Sequence, residues 1–390
     1  MKKVLYFFPD DLSVITSGNK TRAKYLLEYF KKLALDVHFV SIQHEPECGA
    51  QERLTNKLLL EKGLASRFHI LRRKGSKKNL LLYFFKYKIW NLLYYLTTFP
   101  AGTAIPTVMT IRLKSAFENL LKCDSYDYIV ISYVYYSDLV SRKDLLGNAK
   151  VILDTHDFIT AQFKSRRDFR LGITFEDEMR RLGHFHEIWA ISPEEQYIFR
   201  QFCKAKVRLV PFTMDEPTLN HSLTGRKYDV IYVASDNIHN QRASKWFFSK
   251  VYPLLPPNIR ICVIGKITAF IDNDLPIERV LYSSELDDFY NNAWIAICPM
   301  LSGSGIKIKV VEALSYGLPV VCNDYGTDGL PNKINNGCLV ANDPESFARS
   351  IEMLLEDKAL YERQSGYAKS LFRDYFRSDN LDKILDPVFK

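Results

Sequence analysis

A glycine-rich loop between a strand and a helix constrains this chain more than any other feature of its sequence. The segment 299–330 reads PMLSGSGIKIKVVEALSYGLPVVCNDYGTDGL, and it follows a short apolar run that predicts a buried strand. Gly303 and Gly305 leave no side-chain bulk at two loop positions, so a ligand can approach the backbone closely. The pattern then predicts a helix over 306–316 that Gly317 ends, followed by a second strand.

This strand–loop–helix arrangement predicts an anion site. The first N–H groups of a helix have no partner within it, and the positive end of the helix dipole points toward the loop. Lys307 and Lys309 fall in the expected first turn, where a cation opposes the dipole unless a negative ligand binds there. We therefore expect a phosphate group to bind the N–H groups of Gly305 and Ile306 together with the ammonium group of Lys307.

The segment also resembles the signature of the retaining family 4 of the GT-B glycosyltransferases, one form of which is P-x-x-x-G-x-G-x-[KR]-x-K-x-x-E-A-x-x-x-G-x-P-V-V. The matching positions are Pro299, Gly303, Gly305, Lys307, Lys309, Glu312, Ala313, Gly317, Pro319, Val320 and Val321. The resemblance implies that Glu312 binds the nucleotide ribose. It implies further donor contacts from Gly303, Ser304, Gly305, Ile306 and Lys309. Ser304 stands where the family carries the first of its two glutamates.

Motifs elsewhere extend the resemblance over nearly the whole chain. SGNKTRAKYLL places Gly18 after the first predicted strand, where the family brings its backbone close to the diphosphate. DTHDF places His156 after a buried strand, where the family's histidine lies near the transferred sugar. VIYVASDNIHNQ carries Asn240 at a recurring asparagine of the nucleotide-binding domain. The resemblance thus implies that His156 and Lys307 are catalytic, and that Gly18 and Asn240 belong to the nucleotide-sugar site.

The chemistry of sugar transfer suits these residue types. Transfer breaks the bond between the anomeric carbon and a diphosphate oxygen, so negative charge builds on the leaving group and needs donors aimed at it. Lys307 supplies such a donor, and His156 ends an apolar strand at the edge where open α/β sheets bind ligands. We expect Arg22 to be a surface arginine and Asp157 to be a helix N-cap.

Strand-like and helix-like segments alternate along the chain, which favours parallel sheets covered by helices on both faces. The polar stretch 213–227 has no apolar period and is typical of a linker. We predict an N-terminal acceptor-side Rossmann-like domain over 1–212 and a C-terminal nucleotide-sugar domain over 213–370. The resemblance implies an α/β GT-B fold, in which two doubly wound Rossmann-like domains face across a cleft. It also implies that a final helix, 371–390, crosses back to the first domain.

Cysteine usage and the first residues favour a cytoplasmic protein. The seven cysteines are dispersed without a C-x-x-C pair, as in reduced intracellular proteins. The opening MKKVLYFFPDD is basic and then apolar, but Pro9 and Asp10 interrupt the run, which predicts a first strand and not a signal peptide.

The segment 63–117 holds ten basic residues and no Asp or Glu, although the net charge of the whole chain is only +8. The basic residues are Arg67, Arg72, Arg73, Lys74, Lys77, Lys78, Lys86, Lys88, Arg112 and Lys114. They flank the apolar, aromatic run 80–96, where Lys86 and Lys88 make a transmembrane helix costly. The pattern fits peripheral attachment to an anionic membrane surface. It fits equally well a helix on the sheet whose lysines reach water.

Other function classes lack support in the sequence. No G-x-G-x-x-G follows the first strand, which argues against a nicotinamide dehydrogenase, and no nucleic-acid reader motif accompanies the basic segment. Asp272 and Asp274 resemble the metal-binding D-x-D of another glycosyltransferase fold, but their loop position predicts a turn. We expect neither a metal nor a separate cofactor.

These observations predict a retaining glycosyltransferase. It would use a nucleotide-diphosphate sugar and act on a glycan or lipid-linked acceptor in the biosynthesis of a surface polysaccharide or lipopolysaccharide. Two alternatives remain open on the same fold: a hydrolysing nucleotide-sugar epimerase and a non-catalytic scaffold.

Overall fold

The computed structural model describes residues 1–15, 17–43, 50–75, 77, 79–99, 104–219, 225–283, 285–303 and 305–390. The chain divides into two units, Met1–Val210 and Pro211–Lys390. Each unit contains one sheet in which all the neighbouring strands are parallel.

The first unit has a seven-stranded sheet in the order β3-β2-β1-β4-β5-β6-β7. Its strands are β1 (Lys3–Phe7), β2 (Asp36–Gln43), β3 (Arg67–Arg72), β4 (Tyr128–Ser132), β5 (Lys150–Asp154), β6 (Glu187–Ala190) and β7 (Lys206–Leu209). Its α-helices are α1 (Gly18–Lys32), α2 (Ala50–Glu61), α3 (Leu80–Tyr83), α4 (Ile89–Thr98), α5 (Ile111–Cys123), α6 (Ile159–Gln162), α7 (Leu171–Leu182) and α8 (Pro193–Phe202). A π-helical turn, Phe84–Lys88, joins α3 to α4 in one helical run, 80–98.

The second unit has a six-stranded sheet in the order β10-β9-β8-β11-β12-β13. Its strands are β8 (Tyr228–Val233), β9 (Ile261–Ile264), β10 (Glu278–Val280), β11 (Ala293–Cys298), β12 (Val320–Cys322) and β13 (Cys338–Val340). Its α-helices are α9 (Ile238–Trp246), α10 (Asp287–Asn291), α11 (Ile308–Ser315), α12 (Pro344–Glu356), α13 (Lys358–Leu371) and α14 (Asp379–Phe389). The expected return of 371–390 to the first domain stays a prediction.

The central strands are apolar along their whole length because helices bury both of their faces. In β1 the residues Val4, Leu5, Tyr6 and Phe7 are all fully buried. Alternation of strands with helices gives parallel pairing through crossovers, since a parallel strand cannot follow its neighbour through a tight hairpin. The predicted fold class, two α/β domains with parallel sheets, is confirmed.

Each sheet has one point where the strand order reverses. In the first unit β1 lies beside β4, and in the second unit β8 lies beside β11. The loops that follow the two strands of such a pair run to opposite sides of the sheet. This leaves a crevice at the carboxyl ends, where open α/β sheets bind their ligands.

Gly337, just before β13, offers a stability test. Its φ is +82°, and a Cβ there would lie 2.7 Å from the Cβ of Ala368 in α13. Gly337→Ala should lower the free energy of unfolding by about 2–4 kcal/mol, through left-handed strain and overpacking. Gly366→Ala, the same change in open space on α13, should raise it by about 0.5–1 kcal/mol.

Urea unfolding of the full chain, followed by circular dichroism, measures both changes. Equal effects of the two substitutions would contradict the packing of α13 against this turn.

Candidate active site

The helix after the glycine-rich loop begins later than the sequence predicts. α11 starts at Ile308, and Lys307 is its N-cap with φ −93° and ψ 98°, so the expected start at Ile306 is wrong. Gly303 and Gly305 have φ of +104° and +76°, and these left-handed conformations hold the loop out of the helix.

The end of the helix is as predicted. Gly317 has φ +69° and follows the last turn of α11. Its N–H donates to the carbonyl of Leu314, and the N–H of Leu318 donates to the carbonyl of Ala313. This pair of bonds is a Schellman motif, which requires the left-handed residue that glycine supplies.

Lys307 folds back over the loop that precedes it. Its Nζ donates to the carbonyl oxygen of Gly305 at 2.6 Å and lies 3.4 Å from that of Gly303. Asp328 lies 3.9 Å away, and the lysine side chain is only 8% exposed. The loop therefore surrounds an ammonium group with its own carbonyl oxygens, which a stronger anionic ligand can replace.

Lys309 joins the two sides of the crevice in the second unit. Its Nζ donates to Oδ1 of Asn240 at 2.7 Å and lies 5.6 Å from the centre of the Tyr232 ring. The amide of Asn240 donates in turn to the carbonyl of Ser235, which follows β8. Burial lowers the pKa of Lys309, while Cys298 and Glu312 oppose that change. Asn240 thus positions Lys309 at the reversal of strand order between β8 and β11.

Glu312 lies one turn along the same helix. Its Oε2 accepts a long hydrogen bond of 3.4 Å from the hydroxyl of Tyr290, whose ring stacks on that of Tyr316. Burial raises the pKa of Glu312 to about 7, against the opposing effects of Tyr290 and Lys309. The carboxyl group is therefore close to its titration point at neutral pH.

His239 is a neighbour of the loop that the sequence analysis did not identify. Its Nδ1 lies 2.7 Å from Oγ of Ser302, and a Cβ on Gly303 would sit 3.7 Å from its ring. Burial, Arg242 and Lys307 each lower the pKa of His239. The sequence could have indicated His239, because it stands next to Asn240 in the chain.

In the first unit, His156 follows β5 with φ +63°. Its Nε2 lies 3.0 Å from Oδ2 of Asp154, and its ring stacks on Tyr133 at 4.2 Å between centroids. Tyr133 also has a positive φ, +68°, and its side chain lies near that of Asn19, which follows Gly18 at the start of α1. Two strained, stacked residues at the carboxyl edge of a sheet are typical of a ligand site.

Arg22 is buried, so the expected surface position is wrong. Only 3% of the residue is exposed. Its Nε donates to Oδ1 of Asp154 at 2.8 Å, its Nη2 lies 2.6 Å from the same oxygen, and its Nη1 donates to the carbonyl of Val210 at 2.7 Å. Although burial opposes ionisation, Arg22 and His156 hold the pKa of Asp154 well below its usual range. A chain of side-chain contacts therefore runs from Arg22 through Asp154 to His156.

Asp157 is not a helix N-cap, contrary to expectation, because α6 begins at Ile159 after Phe158. The carboxylate of Glu178 takes that role: it accepts the N–H groups of Ile159 at 2.9 Å and Thr160 at 2.8 Å. Burial raises the pKa of Glu178 to about 7.

The structure thus gathers the predicted residues of each unit at the carboxyl edge of its own sheet. Gly303, Gly305, Ile306, Lys307, Lys309, Asn240 and Glu312 lie in the second unit, and Gly18 and His156 lie in the first. Ser304 lies outside the described residues. Asp272 accepts the N–H of Asp274 in a turn, as expected. In the part of the chain that the structure describes, no three His, Cys, Asp or Glu side chains are grouped to hold a metal ion.

Comparison with known proteins finds a match in the second unit and one relative along most of the chain. Residues 227–357 match the family model described as Glycosyl transferases group 1. A Klebsiella pneumoniae protein, described as an uncharacterized 44.6 kDa protein in the cps region, is 22% identical over 322 residues. That match covers 72% of this chain and 78% of the Klebsiella protein.

Several solved structures share the fold. Sucrose-phosphate synthase from Thermosynechococcus elongatus has a TM-score of 0.72 at 12% identity, covering 100% of this chain and 98% of that one. Anabaena HepE, solved with UDP and glucose, has a TM-score of 0.66 at 11% identity and 99% coverage of both chains. A variant of S. aureus TarM, solved with fondaparinux, alpha-GlcNAc-glycerol and UDP, has a TM-score of 0.68 at 11% identity and 100% coverage of both. The predicted GT-B fold and the predicted family resemblance are confirmed.

Arg22→Met should lower the free energy of unfolding by about 3–5 kcal/mol at pH 7, because it leaves the Asp154 carboxylate buried without its guanidinium partner. The pKa of Asp154 is depressed in the folded state, so its contribution is complete above the unfolded value of about 4 and is lost as the pH falls below it. The difference in the free energy of unfolding between wild type and Arg22→Met should therefore disappear in acid.

Urea unfolding at pH 7 and in the acid range measures this gap. Arg142→Met is the matched control, since Arg142 pairs with Asp144 on the exposed surface and should change stability little. A gap that persists unchanged in acid would contradict the ion pair.

Proposed function

We propose that this protein, a glycosyltransferase, transfers a sugar from a nucleoside-diphosphate sugar with retention of anomeric configuration. We propose further that its acceptor is a glycan or a lipid-linked glycan of a surface polysaccharide. The single observation that carries the proposal is the loop before α11, where Lys307, Lys309 and Glu312 meet at the strand reversal of the second unit. HepE and TarM, which share the fold, were solved with UDP, and the Klebsiella relative belongs to the cps region.

The loop suits a diphosphate leaving group. The ammonium group of Lys307 is held beside the carbonyls of Gly305 and Gly303, in the position where phosphate oxygens would approach the glycine backbone. As the bond from the anomeric carbon to the diphosphate oxygen breaks, its electron pair moves to that oxygen, and Lys307 stabilises the developing charge. Lys309, held by Asn240, adds a second cation near the same loop.

In the first unit, His156 supplies a ring in a fixed orientation. Asp154 faces its Nε2, and Tyr133 covers one face of the ring. These contacts leave Nδ1 to hydrogen-bond a hydroxyl of the sugar. Arg22 and Asp154 act as positioning residues in this scheme. The proposal requires neither a metal nor a separate cofactor.

Nucleotide release from a panel of UDP-, GDP- and dTDP-sugars, with and without acceptors, tests the function. NMR of the product anomer, with a chelator present, tests retention. Lys307→Ala should lower the rate about 10²–10³-fold, as loss of other charge-stabilising donors does. Lys245→Ala, an equal charge change at an exposed position of α9, should leave the rate nearly unchanged.

Each negative result has a separate meaning. An inverted product, or activity that the chelator abolishes, would contradict retention without a metal. A sugar that epimerises without transfer would favour the epimerase alternative, and no nucleotide binding would favour the scaffold.

Nucleotide affinity should rise with pH. The pKa of Glu312 is about 7, and only the ionised carboxylate accepts hydrogen bonds from both ribose hydroxyls. The dissociation constant of UDP should therefore fall as the pH rises from 6 to 8. Glu312→Gln should bind UDP about tenfold or more weakly at pH 8 and show a flat profile.

Isothermal titration calorimetry over this pH range checks the prediction. A flat wild-type profile, or an equal slope in the Gln variant, would remove Glu312 from the nucleotide site.

We also propose peripheral attachment to an anionic membrane through the helical run 80–98. Most of its large apolar side chains are exposed. These exposed residues are Leu80, Leu81, Phe84, Phe85, Trp90, Leu92, Leu93, Tyr95 and Leu96. The basic segment around the run offers about 1 kcal/mol for each lysine or arginine near such a surface. Among the described residues, no helix is both long and apolar enough to cross a membrane.

Leu92→Gln combined with Leu96→Gln should weaken vesicle binding at least tenfold, since burying one leucine contributes about 1.5–3 kcal/mol. Co-sedimentation with anionic and neutral vesicles, at low and high salt, measures the effect. Leu254→Gln with Leu281→Gln is the control, because these leucines are 46% and 64% exposed in the second unit. Unchanged binding of the first variant, or equal binding to neutral vesicles, would contradict the proposal.

A further inference from the structure

A cavity of about 490 Å³ lies in the first unit beside the run 80–98. Its walls come from the segment after β3, from this run and from the segment before α5. The lining residues are Arg73, Lys74, Lys77, Tyr83, Tyr87, Lys88, Asn91, Tyr95, Thr107, Met109 and Thr110. The cavity belongs to neither of the two sites described above.

The helical run has two faces with different surroundings. Tyr83, Tyr87, Asn91 and Tyr95 recur every fourth residue and line the cavity, as the geometry of a helix requires for one face. Leu81, Phe85, Leu92 and Leu96 are exposed by 58–73% and lie on the other side of the run. A polar cavity is thus placed directly beside an exposed apolar surface.

The polar groups of the cavity suit an anion. Four of its lining side chains are cations, Arg73, Lys74, Lys77 and Lys88, and none is a carboxylate. The segment 63–117, which supplies every lining residue, contains no Asp or Glu. The phenols of Tyr83 and Tyr95, the amide of Asn91 and the hydroxyl of Thr107 also line the cavity and can donate hydrogen bonds. A ligand of one or two negative charges would find donors on several sides.

Arg73 is held in place before any ligand arrives. Its Nε donates to the carbonyl of Val108 at 2.7 Å, and its own carbonyl accepts from Thr110 at 2.7 Å and from Tyr87 at 3.3 Å. The side chain is half-buried, and none of the ion pairs among the described residues involves it. Its two terminal nitrogens can therefore form the paired hydrogen bonds that suit phosphate oxygens.

We propose that this cavity binds the phosphate group of a membrane lipid whose hydrocarbon chains lie along the exposed face of 80–98. The proposal rests on the proposed attachment to membranes and deepens it, because it replaces a diffuse attraction of charge with one defined headgroup site. The shared chemistry is a lipid phosphate, which either a bulk phospholipid or a lipid-phosphate acceptor can supply.

Arg73→Gln and Arg72→Gln give a matched test. They remove the same charge from neighbouring positions, but Arg72 is exposed and does not line the cavity. The probes are phosphatidylcholine vesicles that carry phosphatidic acid, or oleate at an equal surface charge. We expect Arg73→Gln to weaken binding to the phosphatidic acid vesicles at least tenfold and Arg72→Gln less than threefold. On the oleate vesicles the two variants should bind alike.

Equal losses for the two variants on phosphatidic acid would overturn the proposal, since only diffuse charge would then be at work. Vesicles with polyprenyl phosphate distinguish the two lipid sources: tighter binding than to phosphatidic acid assigns the cavity to an acceptor, and equal binding assigns it to any lipid phosphate. Inorganic pyrophosphate serves as the soluble probe. If the protein binds pyrophosphate as tightly as it binds the vesicles, a lipid ligand is contradicted.

UDP affinity, measured on the same variants without vesicles, separates this proposal from the proposed function. The cavity shares no lining residue with the candidate active site, so UDP affinity should not change in Arg73→Gln. If Arg73→Gln and Arg72→Gln lose phosphatidic acid binding equally while UDP still binds, only the proposal of the lipid-phosphate cavity is overturned. Absence of UDP binding in the wild type overturns only the transferase mechanism.

Discussion

The hydrogen bond from Lys309 to Asn240 is the contact on which the second unit's site depends. It spans the crevice at the strand reversal, because Asn240 belongs to the helix after β8 and Lys309 to the helix after β11. A half-buried ammonium group paired with a neutral amide is costly, as the lowered pKa of Lys309 shows. With Lys307 held by loop carbonyls nearby, the site carries positive charge that a diphosphate can balance.

In the first unit, a buried charged group has an oppositely charged partner. Arg22 and Asp154 are both buried; Arg22 also donates to the carbonyl of Val210, and Asp154 also faces His156. Such a pair stabilises little in itself, but it specifies one arrangement of the groups around it. Here it fixes His156, whose strained backbone and stacking on Tyr133 need a rigid surround. The second unit therefore presents two lysine ammonium groups at its strand reversal, and the first unit presents an oriented imidazole.

Local sequence patterns predicted the parts of the site that local physics determines. The alternation of strands and helices and the end of α11 at Gly317 both follow from short-range rules. The buried position of Arg22 does not, because its partner Asp154 is 132 residues away in the chain. Asp157 was misassigned for the same reason, since a distant carboxylate, that of Glu178, caps α6. Long-range pairing of charges was the information that the sequence lacked.

Hydrogen–deuterium exchange with and without UDP tests the central claim most directly, namely that the loop before α11 holds the nucleotide diphosphate. The amide groups of 299–312 and of 238–240 should exchange more slowly when UDP is bound, and this protection should be weaker in Lys307→Ala at equal UDP concentration. UDP binding that leaves 299–312 unprotected, with protection elsewhere in the chain, would contradict the account.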